Sequence, residues 1–490
     1  MSMRLRIPAA LTTLATLCAC AVGPDYQRPP ASVPASFKEL DGWKPAEPVD
    51  ATPRGAWWTV FDDPLLDSFV GRVNVSNQTL AASEAAFRQA RAVVQQARAG
   101  LYPSISLDTS VTRSKSGTSR SNSGSTGFSS GGSSGAQTSY QPSLAATWDL
   151  DVWGKIRRTI ESDEADAQAS AADLAAATLS AQAELVSDYY LLRAADEQIR
   201  IFDEAAAAYE RSLAITESQY HWGIATRADV ALAQTQLEST RAQAIGAGVQ
   251  RAQYEHAIAI LMGVPPAELS ISPDHLPEVP PAYPVTVPSA LLERRPDIAA
   301  AERRMAAANA QIGLAEAAYY PDISLTASFG YASTALRTLL GSSNELWSAG
   351  LTATQLLFDA GSRSAVVEQA RAGWDAALAN YRQTTLQSFQ QVEDQLAALR
   401  ILDQQAVAQA HAVTAARDAE RIELNQYKAG TVDYTSVVTA QQTALSNEQT
   451  ALDIRSSRFT ATVSLIQALG GGWSAQALPE QIGSVWPRAY

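Results

Sequence analysis

The sequence predicts a two-part fold, an all-α barrel of very long helices continued by a transmembrane β-barrel, assembled from an internally repeated chain. Three observations predict it. Landmarks of the first half recur in the second at one fixed spacing. Two proline-free helical stretches run for about 65 residues each, far beyond what a globular core requires. Four short segments alternate polar and apolar side chains, as strands with two different faces do.

The repeat sets the organisation. Gly154 aligns with Gly361, Tyr220-x-x-Gly223 with Tyr427-x-x-Gly430, and Gly263 with Gly470, each pair 207 residues apart. Tyr102-Pro103 aligns with Tyr320-Pro321 at a spacing of 218, so the first copy carries 11 extra residues before Gly154. The chain then divides into a leader (1–19), an N-terminal segment (20–83), a first repeat (84–263), a connector (264–290), a second repeat (291–470) and a C-terminal tail (471–490).

The leader has Arg4 and Arg6, the apolar run Ile7 to Leu17, and then Cys18-Ala19-Cys20, which reads as an export signal too short to span a bilayer. Leu17 and Ala19 before Cys20 form a lipoprotein box, so Cys20 is the candidate for a covalent diacylglycerol and N-acyl lipid, the only added group expected; an ordinary signal with an incidental cysteine is the alternative. No later apolar stretch reaches about 18 residues, so any membrane crossing must be β. The net charge of −13 and scattered basic residues exclude a nucleic-acid partner.

Ile105 to Val111 and Ile323 to Tyr331 alternate with period two. Leu144 to Val152 and a less regular stretch near Leu346 to Phe358 complete two hairpins, spanning 104–153 and 322–359. Aromatic residues near their ends (Tyr140, Trp148, Trp153, Tyr331, Trp347, Phe358) suit an outer-membrane barrel; a soluble sheet on a core is the bland alternative. Four strands cannot close, and an open edge in lipid leaves amide groups without partners. Two copies give eight strands with an interior filled by side chains, and three give twelve with room for a passage, so a homotrimer is expected. Residues 114–139 are nearly all Ser, Gly, Thr and Asn and read as a loop at the outer end of the first hairpin, with an interdomain linker as the rival reading.

Lys155 to Tyr220 contains no proline or glycine, and Leu185, Leu192, Ile199, Ala206, Leu213 and Tyr220 recur every seven residues beside Ala195, Phe202 and Tyr209, a coiled-coil seam. Thr226 to Met262 returns the chain; Ser362 to Tyr427 and Val432 to Leu469 repeat the hairpin. Gly223 and Gly430 close the long helices in the left-handed conformation. Asp229 and Asp433 follow, each either a helix cap or a charged group at a gate. Nine prolines from Pro265 to Pro296 should hold the connector extended across the outside of the helices.

At these residues the chain resembles the outer-membrane efflux proteins of the TolC superfamily, in the lipoprotein branch typified by OprM and NodT-type channels. The matching motifs are Cys20-Ala-Val-Gly-Pro-Asp-Tyr26-Gln-Arg-Pro-Pro30, Trp57-Trp58, Leu291-Leu-Glu-Arg-Arg-Pro-Asp-Ile298, Ala308-Asn-Ala-Gln-Ile312-Gly, Leu357-Phe-Asp-x-Gly361 and Leu469-Gly-Gly-Gly-Trp473. The resemblance implies a homotrimer with a twelve-stranded barrel in the outer membrane of a Gram-negative cell and a twelve-helix tunnel through the periplasm. The termini and connector would form an equatorial belt. A periplasmic membrane-fusion adaptor and an inner-membrane RND-type transporter are implied as partners. It assigns adaptor docking to the tips at Tyr220, Gly223, Tyr427 and Gly430, and makes Asp229, Asp433, Tyr434, Thr435 and Thr439 the candidate periplasmic gate. Family channels often carry Leu and Asp where Thr435 and Thr439 stand, so a charged constriction at that level is in doubt.

A passive duct for drugs or other small toxic compounds is the leading function. A type I protein-secretion channel and a structural lipoprotein tethering the envelope layers are the alternatives. The four histidines lie apart, and no nucleophile motif or phosphate loop accompanies them, so no catalytic activity is expected.

Overall fold

The computed structural model describes residues 21–30, 33–34, 36–39, 56–115, 136–282 and 292–479. Cys20 and most of the Ser/Gly-rich stretch lie outside them. Seven helices above ten residues are described: α1 (Pro64–Ser76), α2 (Gln78–Ala99), α3 (Lys155–His221), α4 (Arg227–Leu261), α5 (Pro296–Ala317), α6 (Ser362–Lys428) and α7 (Tyr434–Ala468). Four strands join them: β1 (Ser104–Ser114), β2 (Gln137–Asp149), β3 (Asp322–Tyr331) and β4 (Glu345–Thr354).

Both long helices contain 67 residues and both return helices 35. At the α-helical rise a long helix spans about 100 Å. The repeat extends further upstream than residue 84, because α2 and α5 are both 22 residues long and keep the 218 spacing, so the boundary at 83 falls inside α2. All four long elements end alike. Gly223, Gly263, Gly430 and Gly470 take positive φ, and the residue after each donates its N–H back five positions, as Ile224 does to Gln219 O and Thr431 to Gln426 O. At Gly263 and Gly470 a side chain would also strike the carbonyl of Ser76 or Arg294, so those turns pack against neighbouring backbone.

The seam read from the heptads is the core. Leu185, Leu192, Phe202, Ala206 and Tyr209 are buried in one cluster with Ile258 and Met262 of the α4 end and Phe459, Leu465 and Ile466 of α7; Ala195 is buried as well, whereas Ile199 and Leu213 are half-buried. Tyr220 leaves the seam and is exposed. Trp57 is fully buried and donates from Nε1 to Gln182 Oε1 at 3.0 Å, fastening the N-terminal segment to α3. No described helix is long and apolar enough to cross a membrane.

The sheet has the order β1-β2-β3-β4, antiparallel throughout. β2 begins earlier and ends earlier than the sequence indicates. Asp151 turns out of the ladder to accept the N–H groups of Ile156 and Arg157 at the start of α3. β4 likewise stops at Thr354, short of Phe358, where Asp359 accepts from Gly361 and Arg363 ahead of α6. The outer edges of β1 and β4 have no partner strand within the described chain.

The described part of the connector is not merely extended. It is clamped to the helices by buried charges. Arg193 donates to Ser272 O at 2.8 Å, Arg251 to Ile271 O at 2.5 Å, and Asp196 accepts from Arg193, Arg251 and the Asp274 N–H. Glu197 gathers Arg200, Arg455 and His275.

Candidate functional site: the two-faced sheet and the helix-hairpin tips

The strand register sorts the side chains into two faces. One row joins Leu107, Leu144, Phe329 and Trp347 across all four strands; the next joins Ile105, Ala146, Ala327 and Ala349. The opposite face carries Ser106, Ala145, Ser328 and Ser348, with Ser104, Thr147, Thr326 and Gly350 beside them. Leu346, which blurs the alternation of the fourth strand, falls on this polar face, and Trp347 on the apolar one. Among the described residues nothing covers the apolar face: Trp347 is 75% exposed, Ile105 73% and Leu107 69%. A contiguous apolar band of this size on one face of a sheet needs a non-aqueous medium or a partner. At its lower rim Trp148 and Trp153 donate to the carbonyls of Leu101 and Pro321, both at 2.9 Å, and Trp153 stacks on Tyr320 with centroids 4.8 Å apart. Aromatic rings with one satisfied polar atom suit a lipid–water boundary.

At the far ends of the long helices, the two tips differ in chemistry. The first exposes Tyr220, Trp222 and Ile224, the indole at 80%. The second presents Lys428, Ala429 and Thr431, all exposed. Trp222 and Ile224 escaped the motif reading because a turn residue's exposure is not written in its neighbours; their position beside the helix-ending Gly223 was the available signal.

The aspartates are caps. Thr226 and Asp229 form a capping box, with the Asp229 carboxylate accepting from the Thr226 N–H and hydroxyl at 2.8 Å. Asp433 accepts from the Ser436 N–H at 3.0 Å and its hydroxyl at 2.7 Å, bonds that hold its carboxyl below the usual range. Capping does not remove the charge, since Asp433 is exposed.

Tyr427 and Tyr434 are brought together, but inside. Their rings meet edge to face at 5.1 Å in a cluster with Ala233, Val437 and Val438. Tyr427 donates to Thr216 Oγ1 at 3.3 Å, and burial pushes the Tyr434 phenol up to about 12. These rings are joints between the two helical hairpins, and neither offers an accessible surface to a partner. Thr439 donates back to the Thr435 carbonyl at 2.9 Å along α7, and both side chains are exposed.

Several motif residues prove to be fastenings. Arg295 donates to the Ala468 carbonyl at 3.0 Å, satisfying the C-terminal end of α7, and Asn309 Nδ2 donates to Pro24 O at 2.9 Å. Arg158 grips Val22 O, Gly23 O and Asp25.

A two-faced sheet on a body of paired long helices is also what known proteins of this size show. The family model for outer membrane efflux proteins matches residues 70–264 and 287–471. The toluene efflux pump outer membrane protein TtgC of Pseudomonas putida is 30% identical over 471 residues, covering 93% of each chain. The probable outer membrane lipoprotein SilC of Salmonella typhimurium is 29% identical over 469 residues, covering 95% of this chain and 98% of its own. A solved structure of the outer-membrane channel OprN superposes with a TM-score of 0.84 at 30% identity, covering 93% of this chain and all of that one. The bipartite architecture is that of these channels, and its place is the outer membrane. The chain belongs to the outer membrane efflux protein family.

Proposed function

We propose that three copies of this chain close a twelve-stranded barrel above a twelve-helix tunnel. The trimer would conduct small toxic compounds passively from a periplasmic membrane-fusion adaptor and an inner-membrane RND-type transporter to the exterior. The observation that carries this is the sheet: one face with a contiguous apolar band across all four strands, bounded at its outer end by Arg113 and Glu345, an opposite polar face, and two edges without a partner strand among the described residues. Free edges in a bilayer must pair, and only another copy supplies the matching edge. The similarity to a toluene efflux protein supports a small-molecule cargo. The chain itself performs no chemistry in this reading; energy and direction come from the transporter.

The lipid belongs to Cys20. Ala21, the next residue in sequence, lies against Gly154, and the Val22 N–H donates to Trp153 O at 3.1 Å, so the described chain begins beside the aromatic rim of the sheet, which supports an anchor at that level. The similarity to a probable lipoprotein supports the same assignment. Native mass measurement of the particle extracted in detergent tests both parts. Three chains with their acyl groups are expected, and Cys20→Ser should remove the acyl mass alone. A monomer would sink the shared barrel, and an unaltered mass in Cys20→Ser would move the lipid elsewhere.

A further inference from the structure

We propose that a groove between α3, α4 and α7 is a resting site for flat organic cations in transit, an inference that rests on the conduit reading above. The groove holds about 620 Å³, within the range of sites for drug-sized molecules. It lies on the side of α3 away from the connector. Asp196 and Glu197 face the connector, whereas Leu191 and Gln198, which line the groove, sit about half a turn round the helix. With the connector on the outside of the body, the groove opens towards the passage.

Its lining suits one ligand class. Tyr254 supplies a half-buried ring over a floor formed by the buried Phe202, Gln243 and Gln250 supply amides that can donate or accept, and Asp453 supplies a carboxylate. Among the described residues Asp453 has no ion-pair or hydrogen-bond partner, although neighbouring Arg455 and Arg458 are both engaged with other acids. Its side chain is exposed at the groove, and partial burial pushes its carboxyl up, so a cation alongside would offset part of the cost of carrying the charge there. A planar cation satisfies both elements at once, its charge against Asp453 and its face on a ring.

Gly246 keeps the groove open. Glycine is unfavourable inside a helix, and a methyl group at this position would meet nothing within 4 Å, so packing within the chain does not demand it. The residue 207 positions on from Gly246 is Asp453 itself. The two repeats therefore contribute unlike residues from equivalent positions to one groove: an empty site from the first and a charge from the second.

Ethidium is a suitable probe, followed by fluorescence anisotropy with the intact detergent-solubilised particle. Asp453→Asn should raise its Kd about two- to fivefold, the effect of one partly screened charge contact. Gly246→Leu, whose Cβ would meet nothing within 4 Å and whose side chain would enter the groove, should raise it at least as much. Binding of the neutral probe N-phenylnaphthylamine should ignore Asp453→Asn and weaken in Gly246→Leu. An ethidium Kd unchanged in both variants would overturn the groove, as would equal losses of both probes in Asp453→Asn. Planar-bilayer conductance of the wild-type particle separates the two readings. Conductance with an unchanged ethidium Kd sinks the groove alone, and a particle that forms no conducting pathway sinks the conduit with it.

Discussion

Asp433 is a helix cap whose charge stays exposed, so its part in the fold and any part in the passage can be separated by one substitution. Its carboxylate caps α7 through Ser436, yet the group is exposed and charged. Asparagine caps a helix about as well as aspartate. Asp433→Asn should therefore leave thermal stability within about 0.5 kcal/mol while weakening cation selectivity in bilayer recordings, because a ring of like carboxylates at a mouth favours cations. Unchanged reversal potentials would reduce Asp433 to a cap. Glu197 makes the opposite case, a charge serving structure alone. The Arg200 guanidinium first of all, and then His275 and Arg455, hold its carboxyl down at about 2 against a burial that opposes them. A carboxyl depressed in the fold stabilises fully above its unfolded value of 4.5 and loses that contribution as pH falls towards 2. Melting temperature should thus fall across this window, and Glu197→Gln should flatten the slope there. An identical acid profile in the variant would show that the clamp on the connector is held by Asp196 without it. The sequence left Asp433 open between cap and gate. It gave no sign of the role of Glu197, because two of its three partners, His275 and Arg455, lie on the connector and α7, far along the chain.

At the scale of elements, the sequence was most legible where a period is strict. The alternation from Ile105 and the heptads from Leu185 depend only on near neighbours, and both elements formed where expected. Legibility failed where a distant segment decides. Leu346 and Trp347 are adjacent and both apolar, and only pairing with Gly330 and Phe329 decides which of them joins the apolar face. Tyr434 reads as a gate residue until Tyr427 and Ala233 are seen to pack against it. The ends of β2 and β4 were set by Asp151 and Asp359, whose carboxylates are taken up by the following helices. The register permits a test of which face meets lipid. Leu107 and Ser106 are neighbours on β1 with side chains on opposite faces. Leu107→Arg should cost about 2–4 kcal/mol near the bilayer midplane, whereas Ser106→Arg on the polar face should cost under about 1. Heat stability of the folded particle in detergent-extracted membranes reads the difference. Equal losses would mean that neither face is in lipid.

For the molecule as a whole, the repeat places the sheet and the helix-hairpin tips at opposite ends. Both β-hairpins leave the helical body at one end, and both helix-hairpin tips lie at the other, about 100 Å of helix away. The strand ends at Ser114 and Gln137 point away from the helices, because Ser104 and Asp149 are the ends joined to α2 and α3. If the sheet is the outer-membrane part, Ser114 must face the exterior and the tips the periplasm; no other orientation lets the tips meet an inner-membrane partner. A cysteine placed at each end and a maleimide carried on a polymer too wide for the passage report this directly. Ser114→Cys should be modified on intact cells, and Ala225→Cys, in the first tip, only after the outer membrane is permeabilised. The reverse pattern would invert the molecule and leave the tips no periplasmic partner. Modification of both on intact cells would mean that the helices stand outside the membrane, and the long tunnel would then have no compartment to cross.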